Sequence, residues 1–387
     1  MSALERRVVI TGLGAVSSLG PTLDAHREGL AARLATTEPS TESPSPGGPV
    51  VGFAPRRSVH NRLLRKLLQP SALYAVGAVH QALAGTEGVG ALDHPDARAR
   101  CGVFWGSVSF ELAPSFFAPA LRASCDAEGA FDLHAFAERG LPLVDPLLIV
   151  KGLPNAALCG ASIDCGLRGP TANHAGGETA GLQAVAAAVT AVAAGEVEQA
   201  IAGGSDSWLQ PQHRAELAAR GRRETASEGA AALLLESREL ALHRGAPILG
   251  EVVGVGDAWG TVGDTSALEA AARDALGLES SIAGLATVFG DGGGTVPDRR
   301  REVQALERLG GPRFVGLAPA LGFVGAAGGV FALVHAVDAV RQGLRGGETG
   351  PNPDDRVLAW VADDSRTEDG ADGKAVAVAL APEPTDG

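Results

Sequence analysis

Residues 182–194 are almost entirely Ala, Val, Leu and Thr. A helix built from them is apolar on every side and must be enclosed between other layers, fully buried. Continuous apolar strands are expected around it: residues 8–11, 101–108, 199–204, 230–236, 250–256 and 375–380. The strand at 8–11 should enter a Gly-Leu-Gly turn, and the one at 199–204 should end in a glycine turn. The spacing predicts a helix over 60–84 and a Pro- and Ser-rich surface loop over 36–49. Strands that alternate with helices and carry no polar alternation define a layered α/β fold. With 387 residues, 45% of them hydrophobic, the chain can bury a large core. The abundance of Ala and Gly fits close approach of helices and strands, or a bias in codon usage.

Charge excludes some partners. Lys and Arg number 32 against 45 Asp and Glu, a net charge of −13. The basic footprint that nucleic acid requires is missing, and an anionic membrane surface is disfavoured in the same way. No apolar run reaches membrane-spanning length. The first residues run straight into a strand, so no signal peptide is expected and a cytoplasmic location is. Cys101, Cys125, Cys159 and Cys165 form no CxxC pair; they are expected to be reduced, mostly buried thiols, with no metal site.

Gly12-Leu13-Gly14-Ala15-Val16-Ser17 follows a strand, as a dinucleotide loop does. The third glycine is replaced by Ser17, and Asp24 lies too close to hold a ribose. A nicotinamide cofactor is not expected.

The longer run from Arg7 to Gly20 instead resembles the opening of β-ketoacyl synthases. Further matches follow in order. Cys165-Gly166-Leu167-Arg168-Gly169-Pro170 resembles the turn before that family's nucleophile. Ala202-Gly203-Gly204-Ser205-Asp206 resembles the strand end after the nucleophile helix. The segment Glu228 to Glu236 resembles its glycine-rich strand, with Arg244-Gly245-Ala246 at the usual distance. Gly325-Ala326-Ala327-Gly328 resembles its small-residue helix start. The resemblance covers nearly the whole chain. It implies a thiolase-like α/β fold of two fused βαβ-rich halves, 1–245 and 246–387, in a five-layer αβαβα architecture. An interface and tunnel insertion is implied over 103–160.

The chemistry of that family needs a thiolate of lowered pKa. It also needs donors for an oxyanion and an enolate, and a dry tunnel for the chain. In the family a Cys follows the Gly-Pro by eight residues; counted from Pro170, that position holds Glu178. In Asp291-Gly292-Gly293-Gly294-Thr295, Asp291 stands at the first His position, with Glu302 at the family's spacing. Gly322 stands at the second His and Leu317 at the supporting Lys. The C-terminal G-F-G-G loop is missing, and Asp363-Asp364-Ser365-Arg366 lies in its neighbourhood. The region between Leu217 and Glu228 is shorter than usual. Loss of the nucleophile of a catalytic unit costs on the order of 10⁶ in turnover, so no catalytic residue is expected.

This pattern resembles the chain-length-factor branch, the β subunits of type II polyketide ketosynthases, which carry Gln at the Cys position. The resemblance implies a heterodimer with a Cys-bearing ketosynthase, sharing a tunnel. An acyl carrier protein would visit and present the chain on its phosphopantetheine; no cofactor of this chain's own is implied. Phe110 to Phe117 resembles the tunnel-gating piece, with Leu112, Phe116 and Phe117 as candidates; ordinary interface packing is the other reading. Two alternatives stay open: a malonyl-carrier decarboxylase using Glu178, and a homodimeric scaffold. Glu178 itself reads either as a polar plug or as a helix N-terminal anion satisfied by backbone amides. His174 is its possible partner.

Overall fold

The structure, a computed structural model, describes residues 6–36, 47–84, 92, 94–107, 116–175, 177–222, 224–261, 265–277, 285–294, 296–342, 356–363 and 372–382. The first half contributes strands β1 (Val8–Ser17), β2 (Gly102–Gly106), β3 (Thr171–His174), β4 (Gln199–Ser207) and β5 (Glu228–Ser237). The second contributes β6 (Gly250–Thr261), β7 (Leu285–Gly290), β8 (Arg313–Gly316), β9 (Arg356–Asp363) and β10 (Asp372–Ala381). The principal helices are α1 (Leu23–Thr36), α2 (Pro70–Ala84), α3 (Ala156–Cys165), α4 (Ala180–Ala193), α5 (Pro211–Ala219), α6 (Ser266–Leu276), α7 (Val296–Arg308) and α8 (Gly328–Gln342).

All ten strands join in the order β3-β2-β4-β5-β1-β6-β10-β9-β7-β8. The two halves repeat one topology. In the first, β2 is parallel to β3 and β4, while β4, β5 and β1 run antiparallel in turn. In the second, β7 is parallel to β8 and β9, while β9, β10 and β6 run antiparallel. Among the described strands, the two halves of the sheet join where Val8, Val9 and Ile10 pair with β6.

Period-two alternation explains the layering. Leu233 and Leu235 of β5 face the central core with α4 and α8, whereas Ala232 and Leu234 face α2 and α3. Val357, Ala359 and Val361 of β9 turn inward to the same central helices, and Leu358 and Trp360 turn outward to α6 and α7. The result is helix, sheet, helix, sheet, helix: the αβαβα order that the resemblance implies. We propose that the division between the two repeats falls at 245/246, ahead of β6.

Several local expectations are corrected. The strand expected at 8–11 continues to Ser17, and β4 continues through Gly203 and Gly204 to Ser207. These glycines are not turns; they let other backbone come close. A Cβ on Gly12 would fall on the Ala82 carbonyl oxygen of α2, and one on Gly14 on that of Ala78. The second half uses the same device: Cβ atoms on Gly254 and Gly256 would fall on the carbonyl oxygens of Ala275 and Ala271 in α6. The helix expected over 60–84 begins at Pro70, because proline suits the first turn of a helix and not its interior; short helices at Pro55–Ser58 and Leu64–Leu67 precede it. Helix α4 is not buried all round: Thr190 is exposed and Gln183, Ala186 and Ala187 are half-buried, which leaves one helical stripe uncovered. Cys101 and Cys165 are buried, but Cys125 is half-buried and Cys159 exposed; all four are free. Among the described residues no helix is long and apolar enough to cross a membrane.

Gly14→Ala should destabilise the protein by about 1–3 kcal/mol, the cost of overpacking a closed contact, read as a lower urea midpoint. Gly328→Ala is the control, since its Cβ would meet only Val324 Cγ2, at 3.8 Å; its midpoint should barely move.

Candidate functional site: a buried charge cluster

Glu178 sits in a single tight turn, Gly177–Thr179, directly ahead of α4, and is 6% exposed. Gly177 has φ +68°, and a Cβ there would collide with the Asp363 carboxylate at the end of β9. Only glycine lets the chain turn here and lets Asp363 come close. Backbone amides of the helix do not hold the Glu178 carboxylate. It is taken by Arg222, whose Nη1 donates to Glu178 Oε1 at 2.6 Å.

Arg222 is placed by the way α5 ends. Gly221 has φ +70°. Its N–H donates to the Ala218 carbonyl at 3.0 Å, and the Arg222 N–H donates to Leu217 at 3.1 Å. This is a Schellman stop, which turns the next residue back across the helix end. The following strip is stitched to another loop: Phe323 N–H donates to Thr225 and Ser227 N–H to Phe323, each at 2.9 Å. The guanidinium carbon lies 4.2 Å from the centre of the Phe323 ring, a cation–π contact strengthened by burial.

The other Arg222 nitrogen, Nη2, donates to Asp291 Oδ2 at 2.9 Å and to Glu224 Oε1 at 3.2 Å. Glu224 Oε1 also accepts the Gly294 N–H. Arg220 Nη1 stands 3.7 Å from Glu178 Oε1 at the rim. Asp291 follows β7, and its carbonyl accepts the Ala318 N–H at 2.8 Å. Glu302 of α7 accepts from Trp360 Nε1 at 2.8 Å.

One buried guanidinium thus faces three carboxylates, and the proton balance follows. Burial pushes the Glu178 carboxyl up to about 8; Arg222 opposes this, and Asp291 and Asp363 add to it. Asp291 is raised as well, first by burial, against Arg222 and with Glu224. Burial pushes Glu302 up to about 8 despite the Trp360 hydrogen bond, and Asp291 adds to the rise. Burial would weaken the proton affinity of Arg222, but Glu178, Asp291 and Glu224 more than reverse this and keep it charged.

The structure brings Glu178 and Asp291 together on Arg222. It places Gly322 and Leu317 beside them as backbone and core. Gly322 has φ +79°, and a Cβ would meet Thr225 O at 2.6 Å and the Gly47 Cα at 2.7 Å; a histidine cannot stand there without displacing the backbone. Leu317 is 3% exposed and packs in the central core. Among the described residues His174 makes no hydrogen bond to Glu178, and its Nε2 is buried without a hydrogen bond. Phe116 is half-buried and Phe117 is 38% exposed; Leu112 lies outside the described residues. Arg222 and Glu224 are the site residues that motif reading misses. The signal for Arg222 is Arg220-Gly221-Arg222, a helix stop that turns a cation inward.

Glu178, Arg222, Asp291, Glu302 and Lys374 line a cavity of about 60 Å³. That holds a few waters, well short of the roughly 300 Å³ at which ligand pockets begin. Among the described residues that line it there is no thiol or hydroxyl, and Glu178 and Asp291 share one guanidinium.

Comparison with known proteins agrees with this geometry. Residues 64–241 match the model of the β-ketoacyl synthase N-terminal domain. Nodulation protein E of Rhizobium meliloti is 28% identical over 335 residues, covering 80% of this chain and 78% of that protein. The 3-oxoacyl-[acyl-carrier-protein] synthase 2 of Vibrio cholerae is 27% identical over 312 residues, covering 72% and 69%. Among solved structures, the ishigamide ketosynthase/chain length factor superposes with a TM-score of 0.75 at 22% identity, over 97% of this chain and 99% of that one. A type II polyketide synthase acyl-carrier protein in complex with its ketosynthase gives 0.73 at 22% identity, again over 97% and 99%. The chain as a whole has the thiolase-like ketosynthase fold.

Arg222→Ala should cost about 3–5 kcal/mol, because it strands buried carboxylates; Arg222→Lys should recover part of this, keeping the charge without the fork. Urea denaturation at pH 7 measures both. The raised carboxyls also give stability a pH slope. Glu178 and Glu302 sit near 8 when folded against an ordinary value of 4.5. Their stabilising protons are fully present below about pH 4.5 and are lost as pH rises through about 8. The melting temperature should fall across that window, and Glu178→Gln should flatten the fall.

Proposed function

We propose that this chain is a non-condensing, chain-length-factor-type subunit that pairs with a Cys-bearing ketosynthase in a type II polyketide synthase. In that reading it shapes the tunnel shared by the pair, and the partner carries out the condensation. The observation that carries the reading is Arg222. The positions that would hold a thiolate and a donor hold Glu178 and Asp291, bound to one guanidinium at 2.6 and 2.9 Å.

Surface features support a partner. Strand β3 ends the sheet, pairs only with β2 among the described strands, and carries half-exposed residues. Unpaired edges of this kind invite another strand. Most of the exposed large apolar side chains among the described residues fall between Phe117 and Ile163, including Leu133, Leu141, Leu143 and Val150. An apolar concentration of this kind marks an interaction face. The uncovered stripe of α4 adds small side chains. One structural neighbour is a ketosynthase/chain length factor, and another holds an acyl-carrier protein with its ketosynthase. By analogy a carrier protein would present the chain to the pair on phosphopantetheine, in the cytoplasm. Phe116 and Phe117 remain the tunnel candidates together with Leu112.

A decarboxylase reading for Glu178 has less support. Its carboxyl is already engaged by Arg222, and Asp291 would repel an enolate instead of stabilising it.

Co-expression with a Cys-bearing ketosynthase encoded beside it should yield a one-to-one heterodimer by size exclusion and intact mass. A homodimer that ignores the ketosynthase contradicts the proposal and favours the scaffold alternative. Within a working pair, Phe117→Ala should shift products to longer chains by mass spectrometry; an unchanged profile removes Phe117 from the tunnel.

A further inference from the structure

A second cluster of metal-ligating side chains lies on the outer layer, apart from the charge cluster. His60 comes from the loop before α2, His80 from the last turns of α2, and Asp164 and Cys165 from the end of α3. His80 Nε2 is 2.7 Å from Asp164 Oδ2, and His60 Nδ1 is 3.9 Å from the same oxygen. The three ligand atoms of His60, His80 and Asp164 all lie within 4.8 Å of one another. Cys165 Sγ is 3.7 Å from His80 Nε2.

We propose that His60 Nδ1, His80 Nε2 and Asp164 Oδ2 form a zinc site, with water as the fourth ligand. Zinc binds such N and O donors tetrahedrally, with bonds of about 2.0–2.2 Å; adjacent ligands then stand roughly 3.3–3.6 Å apart. The 3.9 Å separation of His60 from Asp164 is close to that spacing. The 2.7 Å His80–Asp164 contact is a hydrogen bond, which opens when the metal takes the place of the shared proton. That proton moves to His80 Nδ1.

The surroundings fit the requirements of a metal site. The Asp164 side chain is fully buried and is oriented by two backbone amides: His60 N–H on Oδ2 at 2.9 Å and Asn61 N–H on Oδ1 at 2.6 Å. The His60 side chain is 69% exposed and can close over the metal from solvent. Its ring already stands 4.4 Å from that of His80, centre to centre. The ligands come from three separate elements. Zinc here would clamp the loop ahead of α2 onto the α2–α3 pair.

The test uses the full chain, stripped with chelator and titrated with zinc chloride by calorimetry, then with cobalt chloride by absorption spectroscopy. One zinc per chain is expected, with a higher melting temperature. The cobalt form should show tetrahedral d–d bands. His60→Gln changes an exposed side chain and should fold normally, yet weaken zinc binding at least tenfold; His80→Gln should do the same. Failure to bind near one equivalent, affinity indifferent to both histidine variants, or a cobalt spectrum without tetrahedral bands would each overturn the site.

Discussion

The contact between the starts of the two central helices sets the rest of the molecule. A Cβ on Gly181 of α4 would fall on the Ala326 carbonyl oxygen just ahead of α8, and one on Gly329 would meet Leu182 Cγ at 2.8 Å. A Cβ on Gly106 at the end of β2 would likewise collide with Ala180 at the start of α4. Side chains are excluded at these points so that backbones can touch. The two repeats share one core through this pair of helices, and the helix beginnings open toward one place. Glu178 and the turn Gly325–Ala327 therefore stand at the centre of the fold.

That location explains why carboxylates are tolerated there, and why a cation must accompany them. Buried charges are stable only when paired and hydrogen-bonded. Arg222 answers Glu178, Asp291 and Glu224 from a loop fastened to Phe323. Its planar fork reaches all three. The carboxylates outnumber it, so the cluster retains protons near neutral pH. Such a core fills the site with paired charge.

The layered architecture was legible because continuous apolar strands and an apolar helix admit few other solutions. The local errors share one cause. Gly12, Gly14, Gly203 and Gly204 read as turns, yet lie inside strands against other backbone; that contact is tertiary and invisible along the chain. The α4 stripe at Thr190 escaped notice because Ala serves a buried face and a docking face equally well. In the site, Glu178 and Asp291 were legible by position. Arg222 was not, since its reach depends on a helix stop at Gly221 and on a strip that pairs with Phe323. Asp363 depends on the end of β9 meeting the turn at Gly177. Both are consequences of packing between segments far apart in sequence.

The central claim is that this site cannot carry a covalent acyl group. The most direct measurement is intact-mass analysis of both subunits after incubating the ketosynthase pair with an acylated carrier protein. The account predicts an acyl adduct on the Cys-bearing partner and none on this chain. A stoichiometric adduct on this chain, mapped by peptide sequencing to the segment around Glu178, would contradict it.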